Sequence, residues 1–135
     1  MPMEREVWQG ACHCGAVRFR VRLMGGMAWA RRCNCSLCRM RGAVTLSAAL
    51  ADLEVTAGAE HLALYRFGTM AAEHHFCRLC GIYTHHRRRS DPTQYGVNAA
   101  CLEGLSPFDF PEIPVNEGAD WEKGGVAGRL RYTPA

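Results

Sequence analysis

Apolar residues at positions 17, 19, 21 and 23 alternate with Arg18, Arg20 and Arg22. That period of two predicts a strand with one buried face and one wet face lined by guanidinium groups. Shorter strands are expected at residues 43–47, 53–56 and 61–67, with two more at 73–77 and 95–99. Glycines at 10, 15, 25, 26, 42, 58, 68, 81 and 96 separate these runs, as the tight turns of an antiparallel sheet require. No long window sustains a 3.6-residue period, and residues 36–41 predict at most a short helical turn. The expected fold is mainly β, without internal repeats. Residues 106–114, with Pro107, Pro111 and Pro114, are expected to run as an extended loop over the sheet. From Gly118 onward glycine and charge dominate, with Trp121 the only large anchor.

Composition sharpens this picture at one point. A chain of 135 residues and 15.0 kDa supports one core of modest size, yet it carries eight cysteines. The first residues include Glu4 and Glu6 and no apolar segment, so no secretory signal is expected. The longest apolar candidate, residues 42–53, contains Thr45, Ser47 and Asp52 and is too short to span a bilayer. A soluble, cytoplasmic protein is the expectation, and thiols in that compartment stay reduced, which argues against a disulfide framework. The formal charge of +3 suggests an acidic partner only until the thiols are counted. Seven thiolates holding two zinc ions would bring the chain close to neutrality, which gives nucleic-acid binding no support.

Seven of the cysteines form three groups: Cys12-His-Cys14, Cys33-Asn-Cys35-Ser-Leu-Cys38 and Cys77-Arg-Leu-Cys80. In an extended segment residues i and i+2 face the same side, so C-x-C aims two sulfurs at one point. C-x-x-C followed by Gly81 is a turn that can pinch two sulfurs around a metal. Together Cys12, Cys14, Cys77 and Cys80 make a closed four-cysteine zinc site that joins distant segments; the alternative is a redox-active C-x-x-C, although no βαβ pattern accompanies it. Cys33, Cys35 and Cys38 supply only three ligands. Either a fourth protein ligand completes a second closed site, with Cys101, His74, His75, His85 and His86 as candidates, or the fourth position is open, as in catalytic zinc centres. Three thiolates leave an open centre a poor Lewis acid for water and suit it to an external thiol, which is deprotonated on binding and can attack an aldehyde.

These three groups, with their surroundings Gly10-Ala-Cys-His-Cys-Gly15, Cys33-Asn-Cys-Ser-Leu-Cys38 and His75-Phe-Cys-Arg-Leu-Cys-Gly81, resemble the glutathione-dependent formaldehyde-activating family, which includes centromere protein V. Residues 62–65 and 97–104 also look like bacterial members, and the likeness covers roughly residues 8–123. It implies a zinc-bound β-tent of short, curved antiparallel sheets, a domain over residues 1–123 and a tail over 124–135. It further implies two zinc ions per chain: a structural one on Cys12, Cys14, Cys77 and Cys80, and a catalytic one on Cys33, Cys35 and Cys38. The implied activity is that of a carbon–sulfur lyase resembling S-(hydroxymethyl)glutathione synthase, with glutathione or a similar small thiol and an aldehyde such as formaldehyde as partners. Asn34 departs from the histidine that relatives often carry there.

Around the triplet, Arg31, Arg32, Arg39 and Arg41 could offset the negative centre and attract a carboxylate, or form a solvated rim. Arg87, Arg88 and Arg89 read as a solvated turn, with a polyanion site as the alternative. His74 and His75 could shuttle protons or simply pack, and His13 should point away from Cys12 and Cys14. Cys101 reads as a small core residue, while Trp29 and Phe67 could wall a pocket. The rival to an enzyme is a non-catalytic zinc β module that binds a protein, or a carrier that stores a thiol adduct.

Overall fold

The computed structural model describes residues 7–110 and 112–117; Trp121, the boundary at residue 123 and the tail at 124–135 lie outside the described residues. Chain order is β1 (Val7–Ala11), β2 (Arg18–Arg22), β3 (Arg32–Cys33), the short helix α1 (Ser36–Arg41), β4 (Thr45–Ala49), β5 (Leu53–Ala57), β6 (Leu62–Tyr65), β7 (Glu73–Cys77), β8 (Tyr83–Arg87), β9 (Gln94–Asn98) and β10 (Val115–Asn116). One antiparallel sheet runs β1-β2-β5 and a second runs β4-β9-β8-β7-β6, while β10 pairs with β3 in parallel. The mainly β expectation holds.

The alternation in β2 is realised as read. Phe19 and Val21 are buried while Arg18, Arg20 and Arg22 are exposed, and Arg20 crosses to Glu54 on β5 at 2.7 Å. The buried face of β2 meets Val44, Leu46 and Ala48 around β4 and Val97, Ala99, Cys101 and Leu102 around β9, forming the main core between the two sheets. Burying each of the valine, leucine and phenylalanine side chains contributes roughly 1.5–3 kcal/mol. Gly10 has a steric role here, because the Phe19 ring lies where its Cβ would be. Cys101 is a core residue whose thiol donates to Tyr83 O at 3.4 Å.

A second, much smaller cluster contains only Cys12, Val17 and Cys77, with Leu62 and Cys80 against it. One buried valine and two thiols, with Leu62 and Cys80 beside them, add far less burial at this corner than the main core does.

Two expectations fail in instructive ways. Residues 106–114 do not run as an extended loop. Pro107–Asp109 form a short 3₁₀ turn, in which Phe108 N donates to Ser106 Oγ at 3.1 Å and Ser106 N to Asp109 Oδ2 at 3.1 Å. Phe110 and Ile113 then pack onto the main core. Nor is Arg87–Arg89 a solvated turn: Arg87 ends β8, and half-buried Arg88 donates through Nη2 to Leu46 O at 3.3 Å and Ser47 Oγ at 2.9 Å.

Candidate functional site

Cys12, Cys14, Cys77 and Cys80 come together, with all four sulfurs within 4.8 Å of one another. The C-x-C pair does not sit in an extended segment. Cys12 follows the end of β1, and Gly15 N closes a turn onto Cys12 O at 3.1 Å. It is this turn, not strand alternation, that converges the two sulfurs. Exposed His13 takes no part. On the other side Cys77 ends β7, and Gly81, at φ +83°, turns the chain toward β8 with its N–H on Cys77 O at 2.7 Å. Left-handed backbone of that kind favours glycine.

The sulfurs are separated by 3.7 Å (Cys12–Cys14) and 3.8 Å (Cys14–Cys77), far beyond a disulfide bond of about 2.05 Å. A tetrahedron with metal–sulfur bonds of about 2.3 Å has edges of about 3.8 Å, so the donor set has the spacing a tetrahedral thiolate centre requires. Backbone N–H groups also aim at the sulfurs, Val17 N at Cys12 and Leu79 N at Cys77, both 3.3 Å. The backbone N–H of Cys14 is foremost in drawing the Cys80 thiol down to about 6, aided by Ile82. Such donors favour the anionic sulfur that metals bind.

Cys33, Cys35 and Cys38 form the second group, again with all sulfurs within 4.8 Å. Its construction is local. Cys33 ends β3, Cys35 is the N-cap of α1 and accepts from Cys38 N at 3.4 Å, and Cys38 lies on the helix itself. Cys33 and Cys35 bond to Cys38 and, with burial, push its thiol well up from the ordinary range, against the opposing charge of Arg41. Three thiols this close cannot all ionise without a cation between them, so this donor set fits a metal as well. Among the described residues no fourth histidine, cysteine, aspartate or glutamate joins the triplet. Of the candidates for completing it, His74 and His86 line the same cavity without joining the three sulfurs, and His75, His85 and Cys101 do not join them either.

What lies over the triplet instead is a cavity of about 400 Å³, lined by the three cysteines together with Arg41, Phe67, His74, His86, Arg88, Arg89 and Glu117. That is within the usual range for small-molecule sites. Arg41, three residues beyond Cys38 and so on the same helix face, donates through Nη2 to Cys38 Sγ at 3.5 Å and to His74 Nδ1 at 3.3 Å. Its guanidinium lies 3.7 Å above the Tyr83 ring. Of the four arginines bracketing the triplet, Arg41 is the one that lines the cavity; Arg32 instead donates to Gly42 O at 2.8 Å. Phe67 walls the cavity as expected, whereas Trp29 lies against Gly25, away from the lining.

Sequence reasoning left Tyr83 out and gave Arg88 and His86 no place in a cavity, because it found no strand at β8. The signal was present in Tyr83-Thr-His-His86, an aromatic and β-branched start, but the histidines and the arginine run masked it. In the structure β8 carries buried Tyr83, Thr84 and His85. Burial, then neighbouring His75, holds His85 down to about 3, and burial, then Arg41, holds His74 down to about 3.

Residues 7–113 match the model of the family described as glutathione-dependent formaldehyde-activating enzyme. A Halomonas elongata protein, provisionally named for the same enzyme, is 42% identical over 81 residues, covering 53% of this chain and 50% of that protein. The match thus spans half the length of that relative. A crystal structure of a Rhodobacter sphaeroides protein is 59% identical, covers 80% of this chain and 99% of that one, and superposes with a TM-score of 0.78.

Proposed function

This chain belongs to the glutathione-dependent formaldehyde-activating enzyme family, and we propose that it is a cytoplasmic zinc enzyme joining a small thiol such as glutathione to a small aldehyde such as formaldehyde, or cleaving the resulting S-hydroxymethyl adduct. By reaction class this is a carbon–sulfur lyase. Cys12, Cys14, Cys77 and Cys80 would hold a structural zinc, and Cys33, Cys35 and Cys38 a catalytic one. The observation that carries the reading is the half-buried triplet, which no fourth ligand joins among the described residues and which opens onto a cavity. None of the eight cysteines forms a disulfide, which suits a reducing compartment, and no helix among the described residues is long and apolar enough to cross a membrane.

When bound at the triplet, zinc would supply the positive charge that lowers the pKa of an incoming thiol and favours its nucleophilic thiolate form. The chain's own residues do the rest. Arg41 offsets the negative charge of the cysteines through its contact with Cys38. Arg88 and Arg89 add positive charge to the cavity wall, which favours a thiol carrying carboxylates. Phe67 and Ala72 contribute apolar lining that displaces water from the reacting carbonyl.

The test is the exchange of formaldehyde with glutathione, followed by NMR with and without the zinc-loaded protein. Acceleration by the protein is the expected result. If glutathione and other small thiols show none, the non-catalytic module takes its place; stoichiometric adduct retention without turnover would instead mark a carrier.

A further inference from the structure

His74 stacks with two rings, Phe67 and His86. Phe67 stacks on one neighbour position at 5.8 Å between centroids and 28° between planes, and His86 on another at 5.0 Å and 23°. Tyr65 extends the stack beyond Phe67 at 5.8 Å, and the Tyr83 hydroxyl lies 2.6 Å from His86 Nδ1. The imidazole of His74 therefore has little freedom to rotate.

Its tautomer follows from chemistry. A guanidinium has donors and no acceptor, so the contact from Arg41 Nη2 requires His74 Nδ1 to be the bare, accepting nitrogen. In a neutral ring the proton then resides on Nε2. Burial, together with the adjacent Arg41 charge, keeps the ring neutral. His74 lines the cavity over the cysteine triplet, and among the described residues its Nε2 has no hydrogen-bond acceptor.

We propose that His74 is a catalytic residue whose Nε2–H, fixed by Arg41 and the aromatic stack, donates to the aldehyde oxygen during carbon–sulfur bond formation. This rests on the function proposed above. The thiolate lone pair forms the C–S bond while the carbonyl π pair moves onto oxygen. His74 stabilises that developing alkoxide without giving up its proton. Water supplies the proton that completes the hydroxyl, and the proton lost earlier by the thiol returns to water. A donor already oriented before reaction needs no reorganisation, which is what makes such contacts effective.

Two measurements on zinc-loaded protein test this. Imidazole nitrogen NMR should show His74 as the Nε2–H tautomer in the wild type; an Nδ1–H or doubly protonated ring overturns the proposal whatever the activity. In kinetics, His74→Phe keeps a ring between Phe67 and His86 and should lower kcat roughly 100-fold or more, the scale of losing one oxyanion donor. The KM for thiol and the metal content should stay within about twofold, because Arg41 keeps its contact with Cys38 and its place on the Tyr83 ring. His74→Gln, which can restore an N–H at the same reach, should recover much of the loss. Normal wild-type turnover with an unaffected His74→Phe overturns this inference alone. A wild type that neither binds thiol nor turns over removes the proposed function, and this role with it.

Discussion

The two cysteine centres use the same ligand chemistry at opposite scales of chain separation. In one, Cys14 and Cys77 stand 63 residues apart and tie the β1–β2 turn to the β7–β8 turn. In the other, three cysteines come from one short stretch between the end of β3 and α1. A ligand set drawn from distant segments adds cohesion where burial is scarce, since only one valine and two thiols are buried at that corner. A set drawn from adjacent residues ties nothing together that the chain does not already join. Among the described residues it stays at three ligands and faces a cavity. Separation along the chain, more than the count of sulfurs, is what sets the two centres apart.

The sharpest way to break this comparison is to remove one ligand from each centre. Cys77→Ser should abolish cooperative folding, because Cys77 is fully buried and structural zinc supplies about 10–16 kcal/mol in small domains. Circular dichroism during thermal melting checks this, and a chelator strong enough to strip both metals should act alike. Cys35→Ser should keep the cooperative melt and the four-cysteine metal while reducing the bound zinc from two ions to one and abolishing thiol–aldehyde exchange. If Cys35→Ser unfolded the protein as Cys77→Ser does, the division between the centres would be wrong.

How far this division was legible in the sequence depends on the scale of each feature. The cysteine groups and the alternation of β2 are local patterns, and both survive. So does β7, at residues 73–77. The mechanism assigned to Cys12-His-Cys14 was wrong even though the grouping was right, because a turn and an extended strand can both converge two sulfurs. Arg41 was one of four arginines around the triplet, and only the position of β8 selects it: Tyr83 gives its guanidinium a ring to lie on, while His74 on the neighbouring β7 accepts its hydrogen bond. That no fourth ligand joins the triplet among the described residues was equally illegible. Whether any of the candidate histidines approached was a question about sheet order, which no spacing encodes.

Arg41 offers a gentler way to sharpen the comparison. It bonds to Cys38 but to no member of the other centre. Arg41→Met should weaken zinc binding at the triplet by about 10- to 100-fold, the usual scale for losing an outer-shell partner, and leave the four-cysteine centre unchanged. Competition titration against a chromophoric chelator resolves the two sites. Equal weakening of both would mean that Arg41 acts through the fold at large. Arg41→Lys should restore only part of the affinity, because an ammonium keeps the charge but cannot lie flat on Tyr83 while reaching two acceptors.

The smallest effect, taken per pH unit, concerns acid, which attacks both centres by protonating thiolates and so blurs them unless the sheet's own response is subtracted. His85 is the group for that subtraction. It is buried on β8 with its ring 4.7 Å from His75 and edge-on to Tyr95 at 5.0 Å, and its Nδ1 lies 2.9 Å from Thr84 Oγ1. Burial first, then His75, holds it down to about 3 in the folded chain, against about 6.5 when unfolded. Between those values the unfolded chain takes up a proton that the folded chain refuses. Stability is thus complete above about pH 6.5 and declines as pH falls toward 3, by up to about 1.4 kcal/mol per pH unit for this one group. His85→Phe should lower stability somewhat at neutral pH, through loss of the Thr84 hydrogen bond, and flatten the acid limb by one proton's worth of slope. Denaturant melts across that range at fixed zinc loading measure the difference. Parallel curves for the two proteins would show that His85 takes up no extra proton on unfolding, and the whole acid response would then belong to the thiolate centres and the remaining histidines.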